Sequence, residues 1–472
     1  IAELKAKGEP MDLAQVLPPP PSSEENGADT FRNAAAMIKD DQSLLSSNDY
    51  DAMKMVAPGK AAVCSQQSEA WSYNATNSWK EVETAVARDT NYFALLRQII
   101  EKPIFDFRIH YKAGMDHLDF TNLYLMEVKH AALRLQTAAV SDLHRGDDTS
   151  AVSDLRTTLA IAKAMPGEHL LISELVRIAI ASIAVSGTWE ILQSTNVTYE
   201  QLAALQKDWA SLEFFHSMEA SMEMERAISL ITITKWRSIY SEFGSQLVNA
   251  PAWFSRPKIS TLDPIRIRSH IFQWRYWWSY PDELCTLKGD ELILNACRVA
   301  QTNDAWLSIQ NELQSNIAKL SIPTNENTYF WSSDPVTVDL HFALSDSVSS
   351  LAKAFSRAMR MEVARNAVIT AIALKRYQLK HGDYPPSLSV LTLEFLPTVP
   401  RDIDGQPLRY RRNPDASFTL YSIGDDGKDD GGNPTSANPQ HKSLYWQSER
   451  DWVWPQPATA EEIQKFYDNP SK

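Results

Sequence analysis

Apolar residues recur every three or four positions over most of the chain between residues 78 and 320. This spacing places the apolar side chains on one face of a helix. The 472-residue chain has only 15 glycines, so few positions interrupt the pattern. The pattern predicts that this stretch is almost entirely helical.

The clearest predicted unit is a pair of helices joined by the polar turn 145–150. The first helix is predicted at 127–144, and the second is predicted to begin near Ala151. Gly146 suits the C-terminal cap of the first helix. Three residues could cap the N-terminus of the second: Asp148, Thr149 or Ser150. Small residues at helical spacing let the two helices approach closely, and the unit resembles a tetratricopeptide-type hairpin.

Further helices are predicted at 168–192, 198–212, 214–243 and 289–320. The polar stretch 322–327 is typical of a linker, so the main domain boundary is predicted near residue 330. A second apolar pattern, with near-heptad spacing, predicts one very long helix at 336–380.

Beyond residue 383 the pattern changes to short alternating segments at 408–411 and 418–423, which is typical of half-buried antiparallel strands. Residues 413–416 form a credible turn between them. The predicted fold class is therefore mainly α: antiparallel helical hairpins, then a long helix and a small antiparallel β-sheet. Three parts are predicted: an extended proline-rich strap at 1–30, a helical domain at 31–330 and a C-terminal lobe at 331–472.

The net charge is −13, from 46 basic and 59 acidic residues, and no basic stripe is present. Nucleic-acid binding needs clustered lysine and arginine, so a nucleic-acid partner is not expected. The three cysteines, Cys64, Cys285 and Cys297, are too few for a disulfide framework. Cys285 and Cys297 could pair, but buried thiols are the simpler prediction.

The most apolar run, 170–185, contains Glu174 and Arg177, which would be costly in lipid. No transmembrane span is therefore predicted. The chain starts at Ile1 and not at methionine, so we expect that an upstream signal peptide or membrane anchor has been removed. Any membrane association is expected only through that segment.

Four motifs follow the long helix in a fixed order: HGDYPP at 381–386, DIDGQPLRY at 402–410, FTLYSIGDDGKDDGG at 418–432 and DW at 451–452. This order resembles the globular part of the major pseudopilin of type II secretion systems, over about the last quarter of the chain. The resemblance implies an extracytoplasmic, non-enzymatic protein that holds a calcium ion in the loop 424–432, which we call the acidic loop.

In that family one aspartate in the loop and one after the double glycine coordinate calcium, and these correspond to Asp426 and Asp451. The insertion 433–450 before Asp451 is long, so Asp429 or Asp430 could replace it as a ligand. Calcium prefers carboxylate and carbonyl oxygens, which an acidic loop rich in glycine supplies. The alternative is an acidic turn without metal.

The sequence also departs from a pseudopilin, because more than 300 residues precede the equivalent long helix. That helix therefore cannot enter a pilus core freely, and polymerisation is not expected. The proline-rich N-terminal segment resembles that of envelope proteins in planctomycetes and verrucomicrobia, which indicates a lineage but no activity.

Aromatic residues concentrate at 272–280, where Trp274, Trp277 and Trp278 flank Arg275. Tryptophan and tyrosine provide stacking area with a polar edge, so this cluster could bind a glycan or a protein partner. The alternative is that these rings fill a core where an irregular segment packs on the helices.

Glu219, Glu223 and Arg226 lie on one helical face. The two carboxylates could act as an acid/base pair of a hydrolase or as metal ligands, or the group could form an ion-pair network between neighbouring helices. No nucleophile-elbow, phosphate-loop or zinc-helix motif is present.

The sequence therefore favours a non-catalytic envelope protein, extracytoplasmic, that acts as an interaction scaffold with a structural calcium loop. Its partner would be a protein or a glycan. Two alternatives stay open: polysaccharide binding by the cluster 274–278, and hydrolysis by paired carboxylates of the helical domain.

Overall fold

The computed structural model describes residues 1–38, 52–72, 76–109, 111, 124–238, 272–320, 348–436, 444–447 and 450–468. This part of the chain is mainly helical with small β-sheets, which confirms the predicted fold class. Its helices are α1 (Ala2–Ala6), α2 (Leu13–Val16), α3 (Ala28–Ala35), α4 (Trp79–Arg88), α5 (Thr90–Arg97), α6 (Leu125–His144), α7 (Asp148–Ala164), α8 (Leu171–Leu192), α9 (Tyr199–Ala210), α10 (Phe214–Ser238), α11 (Ser279–Ala300), α12 (Trp306–Lys319), α13 (Val348–His381) and α14 (Ala460–Asp468).

The strands are short and fall into three groups. They are β1 (Lys54–Ala57), β2 (Lys60–Ala62), β3 (Ala70–Trp71), β4 (Thr76–Asn77), β5 (Arg409–Arg412), β6 (Phe418–Ser422), β7 (Trp452–Val453) and β8 (Gln456–Pro457). The sheets have the orders β1-β2-β8, β3-β4 and β5-β6-β7. All pairs are antiparallel except β2 with β8, which runs parallel and joins the N-terminal part of the chain to its C-terminal end.

Helices α6 and α7 form the hairpin that the sequence predicts, and Gly146 between them has a φ of +79°. Such a left-handed residue is typical of a helix end, where glycine carries no steric penalty. The predicted N-terminal caps are wrong. Helix α7 already begins at Asp148, so the residue before it, Asp147, is the cap and accepts hydrogen bonds from the amide and hydroxyl of Ser150 at 3.1 and 2.7 Å.

The single helix predicted at 289–320 is two helices, α11 and α12. The chain turns at 301–305, where Asn303 Oδ1 accepts the amide of Ala305 at 2.9 Å. The indole nitrogen of Trp306 also donates to the carbonyl of Ala300 at 3.1 Å. These hydrogen bonds give partners to backbone groups that a continuous helix would have paired with each other. The spacing of apolar residues continues across the break and therefore does not reveal it.

Helix α13 is the central element of the fold, and its side chains are buried almost all round from Ala358 to Leu374. It packs against α8, α9, α10, α11, α12 and β6. One hydrophobic core accordingly includes Trp189 of α8, Phe355 of α13 and Leu420 of β6. Residues on both sides of the predicted boundary near 330 contribute to this core, while the boundary itself lies outside the described residues.

Strand β6 is buried along all five residues, so the half-buried alternation predicted for it is wrong. It is the middle strand between β5 and β7, and α13 packs against it. Gly432 also lies close to this strand: a Cβ atom there would lie 3.1 Å from the side chains of Thr419 and Tyr421. A strand covered on both faces has no solvent side to mark with polar residues.

Helix α8 is, among the described residues, long and apolar enough to cross a membrane, but 61% of its most apolar window is buried inside the protein. It carries the buried ion pair between Glu174 and Arg177, with a 2.8 Å contact. The three cysteines form no disulfide; Cys64 and Cys297 are buried and Cys285 is half-buried.

Candidate functional site

Large apolar side chains are exposed at four-residue intervals where the chain enters α11. Phe272, Tyr276, Tyr280 and Leu284 lie on one row of the helix, and Trp277 lies beside them with 63% of its surface exposed. We call these five residues the aromatic face. Buried apolar residues need no explanation, whereas a contiguous exposed group of this kind is typical of a binding surface.

A π-helical turn, Trp274–Trp278, sets the direction of these side chains. Trp274 is fully buried, packs edge-on against Trp236 at 5.9 Å between ring centroids, and donates from its indole nitrogen to Asp282 at 2.9 Å. It thereby fixes the turn from the inside while Tyr276 and Trp277 point outward. π-helical turns are rare in proteins, and those that occur are often found at functional sites.

The four ligand-binding residues predicted from sequence do not share one surface. Trp277 is exposed, Trp278 and Arg275 are half-buried, and Trp274 has no exposed ring face for a ligand. The core interpretation therefore holds for Trp274. Residues that the prediction did not single out complete the surface instead, and the four-residue spacing of Phe272, Tyr276, Tyr280 and Leu284 was the available signal.

The exposed rings do not form a flat platform. Phe272 and Tyr276 are tilted by 46°, and Phe272 and Trp277 stand at 85° to each other. The guanidinium of Arg275 lies 5.8 Å from the ring of Tyr276, and that of Arg237 lies 3.9 Å from the ring of Tyr280. The surface is thus apolar, uneven and flanked by positive charge.

Asp451 holds the backbone of the acidic loop through hydrogen bonds. The residue is 1% exposed, and its carboxylate accepts hydrogen bonds from the backbone amides of Asp430, Gly432 and Asn433 at 3.3, 2.7 and 3.1 Å. Burial raises the pKa of Asp451, and these amides oppose that rise because they favour the charged form. Both carboxylate oxygens already serve as acceptors for the loop backbone.

The other three predicted calcium ligands point in different directions. Asp429 accepts the hydroxyl of Tyr421 at 3.0 Å and the amide of Gly431 at 2.9 Å, while Asp426 accepts the amide of Lys428 at 3.0 Å. Asp430 is exposed. Within the described residues, no group of three or more histidine, cysteine, aspartate or glutamate side chains could hold a metal ion. Calcium binding stays a prediction.

A cation of the chain itself lies beside this loop. Arg409 of β5 pairs with Asp402 at 2.7 Å and with Asp404 at 2.6 Å, and its Nε lies 3.8 Å from Asp429. Asp402 is fully buried and also accepts the amides of Ile403 and Ile423. Burial raises the pKa of Asp402, and hydrogen bonds and Arg409 oppose the rise. The sequence signal was the first aspartate of the DIDGQPLRY motif at 402–410.

Glu219 and Glu223, the carboxylates of the hydrolase hypothesis, share one guanidinium. Arg298 donates to Glu219 at 2.6 Å, to Glu223 at 3.0 Å and to Glu9 at 2.6 and 3.1 Å. Arg226 bonds to Glu9 and not to the other two carboxylates. Burial raises the pKa of Glu223, and the charge of Glu219 adds to that rise. The ion-pair interpretation therefore describes this face, which ties the N-terminal segment to α10 and α11.

These features define a mainly helical protein with small sheets, an exposed aromatic face and carboxylates that are bound by its own arginines and amides. Comparison of the chain with protein-family models, curated proteins and solved structures finds no match.

Proposed function

We propose that this protein is a non-catalytic interaction scaffold, and that the aromatic face binds a protein partner. The observation that carries the proposal is the exposure of five large apolar side chains, three of them tyrosine or tryptophan, of which four lie along one row of a helix and the fifth, Trp277, lies beside it. Tyrosine, tryptophan and arginine are the residues that most often dominate the energy of protein interfaces.

The shape of the face favours a protein partner over a glycan. Neighbouring rings tilted by 46° and 85° offer ridges and notches that a complementary protein surface can fill. A sugar ring stacks on a flat aromatic face, and adjacent coplanar rings would be the better support for a polysaccharide. The aromatic face instead matches the helix-in-groove mode of recognition, in which a helix inserts anchor side chains at four-residue spacing into an apolar groove.

The charge of the face specifies the partner further. Arg275 has no carboxylate partner among the described residues and stands beside Tyr276, whereas Arg237 pairs with Glu283 at 2.7 Å. The partner should therefore present an acidic group at the rim of an apolar groove. Opposite charge at a rim increases the association rate and its salt dependence more than the affinity.

The state of the carboxylates supports a non-catalytic role. A hydrolase that works through a carboxylate pair needs two carboxyl groups that face one cleft with room for substrate. Glu219 and Glu223 are instead both bonded to Arg298. The extracytoplasmic location and the pseudopilin-like lobe belong to the same proposal, and their support is the motif order in the sequence.

A photo-crosslinking experiment tests the proposed interface. A benzophenone amino acid at Tyr276 would crosslink the partner in cells, and the partner would then be purified and titrated against the isolated chain. We expect Trp277→Ala and Tyr280→Ala each to weaken this binding at least about tenfold, as for interface anchors. Leu393→Ala is the matched control, because Leu393 is 95% exposed but lies outside the aromatic face.

Three results would remove the proposal. The first is a partner that binds the wild type and both variants equally. The second is a crosslink only between two copies of the chain, which would make the face a homodimer interface. The third is binding of soluble oligosaccharides that Trp277→Ala abolishes, which would restore the glycan alternative.

Calcium is a second proposal, as a structural ligand of the acidic loop. Asp429 and Asp451 hold neighbouring amides of this loop, and the charge of Asp429 contributes to the raised pKa of Asp451. A cation between them would relieve that repulsion. Asp429 is also exposed, so a hydrated ion can reach it.

Thermal unfolding with calcium, magnesium or chelator tests this second proposal. A ligand that binds only the folded state at about 100 times its Kd stabilises by about 2.7 kcal/mol. We expect a calcium-specific rise of the midpoint that Asp429→Asn and Asp426→Ala reduce. An unchanged midpoint in all three conditions would leave the loop as an acidic turn.

A further inference from the structure

A pocket of about 290 Å³ lies where the end of α8, the middle of α13 and the β5–β6 turn meet. Leu192, Ala371, Phe418 and Trp454 provide apolar walls. Lys375 of α13 also lines it. The volume lies near the lower end of the range for small-molecule sites, about 300 Å³.

Lys375 is the unusual group of this pocket. It is half-buried, and burial alone lowers its pKa below the ordinary value of 10.5. Its neighbours on the same helix are paired: Arg376 bonds to Gln206 and Tyr199, and Lys380 pairs with Glu394. Lys375 has no hydrogen-bond or ion-pair partner among the described residues. An ammonium group that loses water and gains no anion is destabilised.

Tyr384 supplies a second polar group on the wall of the pocket. Its ring packs edge-on against Phe418 at 4.8 Å, which fixes its orientation. Burial raises the pKa of Tyr384 to about 12, so the hydroxyl stays protonated and can donate a hydrogen bond. Among the described residues this hydroxyl has no hydrogen-bond partner.

Among the described residues, Asp415 is the one carboxylate that lines the pocket. It is exposed, and its Oδ1 accepts the amide of Ser417 at 3.0 Å and the hydroxyl of Ser417 at 2.6 Å. The carboxylate is thus hydrogen-bonded within its own turn. Hydrogen bonds from Ser417 lower the pKa of Asp415 and the charge of Lys60 adds a smaller effect, whereas the pKa of Lys375 is shifted by burial alone.

We propose that this pocket binds a small organic carboxylate, with the anionic group on the ammonium of Lys375, a hydrogen bond from Tyr384 and the apolar body against Trp454 and Leu192. The anionic group would pair with the ammonium of Lys375, which has no ion-pair partner among the described residues. The apolar walls would remove the apolar surface of the ligand from water. A single ammonium and one hydroxyl suit a monoanion. A phosphate dianion would need further donors and would be repelled by Asp415.

Isothermal titration of the full chain with benzoate, a monoanion with an apolar ring, tests the proposal. Benzamide has the same shape without the charge. We expect benzoate to bind at least about tenfold more tightly than benzamide, because only benzoate can pair with the ammonium. Thermal unfolding midpoints should rise with benzoate in parallel.

Matched variants locate the binding. Lys375→Met keeps the apolar stem and removes the charge, and we expect it to weaken benzoate binding at least about tenfold. Lys375→Arg should retain most of the affinity. Lys353→Met is the control, since Lys353 is an exposed residue of the same helix about 33 Å away along its axis.

Three results would overturn the proposal: no benzoate binding at about 10 mM, equal affinity for benzoate and benzamide, or unchanged binding by Lys375→Met. Removing a half-buried unpaired charge should not unfold the chain, so circular dichroism of Lys375→Met is expected to match the wild type. The aromatic face is not involved, and Trp277→Ala should bind benzoate normally.

Discussion

Glu174 in the helical bundle and Asp451 beneath the acidic loop are both almost completely buried, yet different groups bind their carboxylates. Glu174 lies inside α8 and bonds to Arg177 and Ser217 at 2.8 and 2.9 Å. Asp451 bonds to three backbone amides. The difference follows from the backbone: amides inside a helix are already bonded to carbonyls, whereas amides of a loop still need an acceptor.

This comparison indicates how the molecule can bury many acidic residues. Glu174 is paired with a side-chain cation, whereas Asp451 accepts hydrogen bonds from the local backbone. Asp290 of α11 represents a third case. It is buried, and its Oδ2 has no hydrogen-bond partner among the described residues. Burial raises its pKa to about 7, so near neutral pH it is neutralised in part by a proton.

The largest effect is expected in the helical bundle. Arg177→Met leaves Glu174 buried without its cation, and removing one partner of a buried ion pair typically costs about 3–5 kcal/mol. Urea denaturation followed by circular dichroism measures this loss. The double variant Glu174→Leu with Arg177→Met should recover most of it. A single variant as stable as the wild type would show that Ser217 alone satisfies Glu174.

A smaller loss is expected at the acidic loop. Asp451→Asn keeps one acceptor oxygen, but its NH₂ group would face an amide that needs an acceptor, which costs about 1–3 kcal/mol. The same denaturation measurement applies. Asp430→Asn, in the exposed part of the loop, is the control and should change stability by less than about 0.5 kcal/mol. Equal losses in the two variants would contradict the role of Asp451.

The pH dependence of stability tests the third case. The folded-state pKa of Asp290 is about 7 against an ordinary value of 3.8, so between those values only the folded state holds the proton. The stability that this proton contributes is fully present below pH 3.8 and is lost as the pH rises through about 7. Between these values the free energy of unfolding falls by up to about 1.4 kcal/mol per pH unit.

Burial also raises the pKa values of Asp154 and Glu168 to about 7. Denaturation at pH 5 and pH 7 should therefore give a more stable wild type at pH 5. Asp290→Asn should reduce that difference, because asparagine takes up no proton. An identical difference in the variant would indicate that Asp290 does not titrate in this range.

The smallest effect is expected at Glu190, where a loop amide meets a helical carboxylate. Glu190 of α8 accepts the amide of Ser65 at 2.7 Å. Glu190→Gln keeps an acceptor for this amide and removes a buried charge, so we expect a change of less than about 1 kcal/mol. A loss as large as that of Arg177→Met would mean that the charge itself is required.

Much of the helical architecture could be predicted from sequence, because amphipathic spacing depends only on which face of a helix is buried. The hairpin α6–α7 and the turn at Gly146 followed from local chemistry. The break between α11 and α12 did not, since Asn303 and Trp306 end one helix and begin the next without interrupting the apolar period. The full burial of β6 also could not be predicted, because it depends on α13, from a distant part of the chain, and on how the following loop places Gly432 against the strand.

The candidate sites divide in the same way. The sequence located the aromatic cluster and the acidic loop, since composition alone marks both. Only the tertiary structure decided that Trp274 is buried while Trp277 is exposed, because a π-helical turn directs their side chains to opposite sides. It also placed Arg298 between Glu219 and Glu223, and it put Lys375 in a pocket where no described residue supplies a counter-ion. A side chain's type is encoded locally, but its partner and its solvent exposure depend on contacts between distant segments.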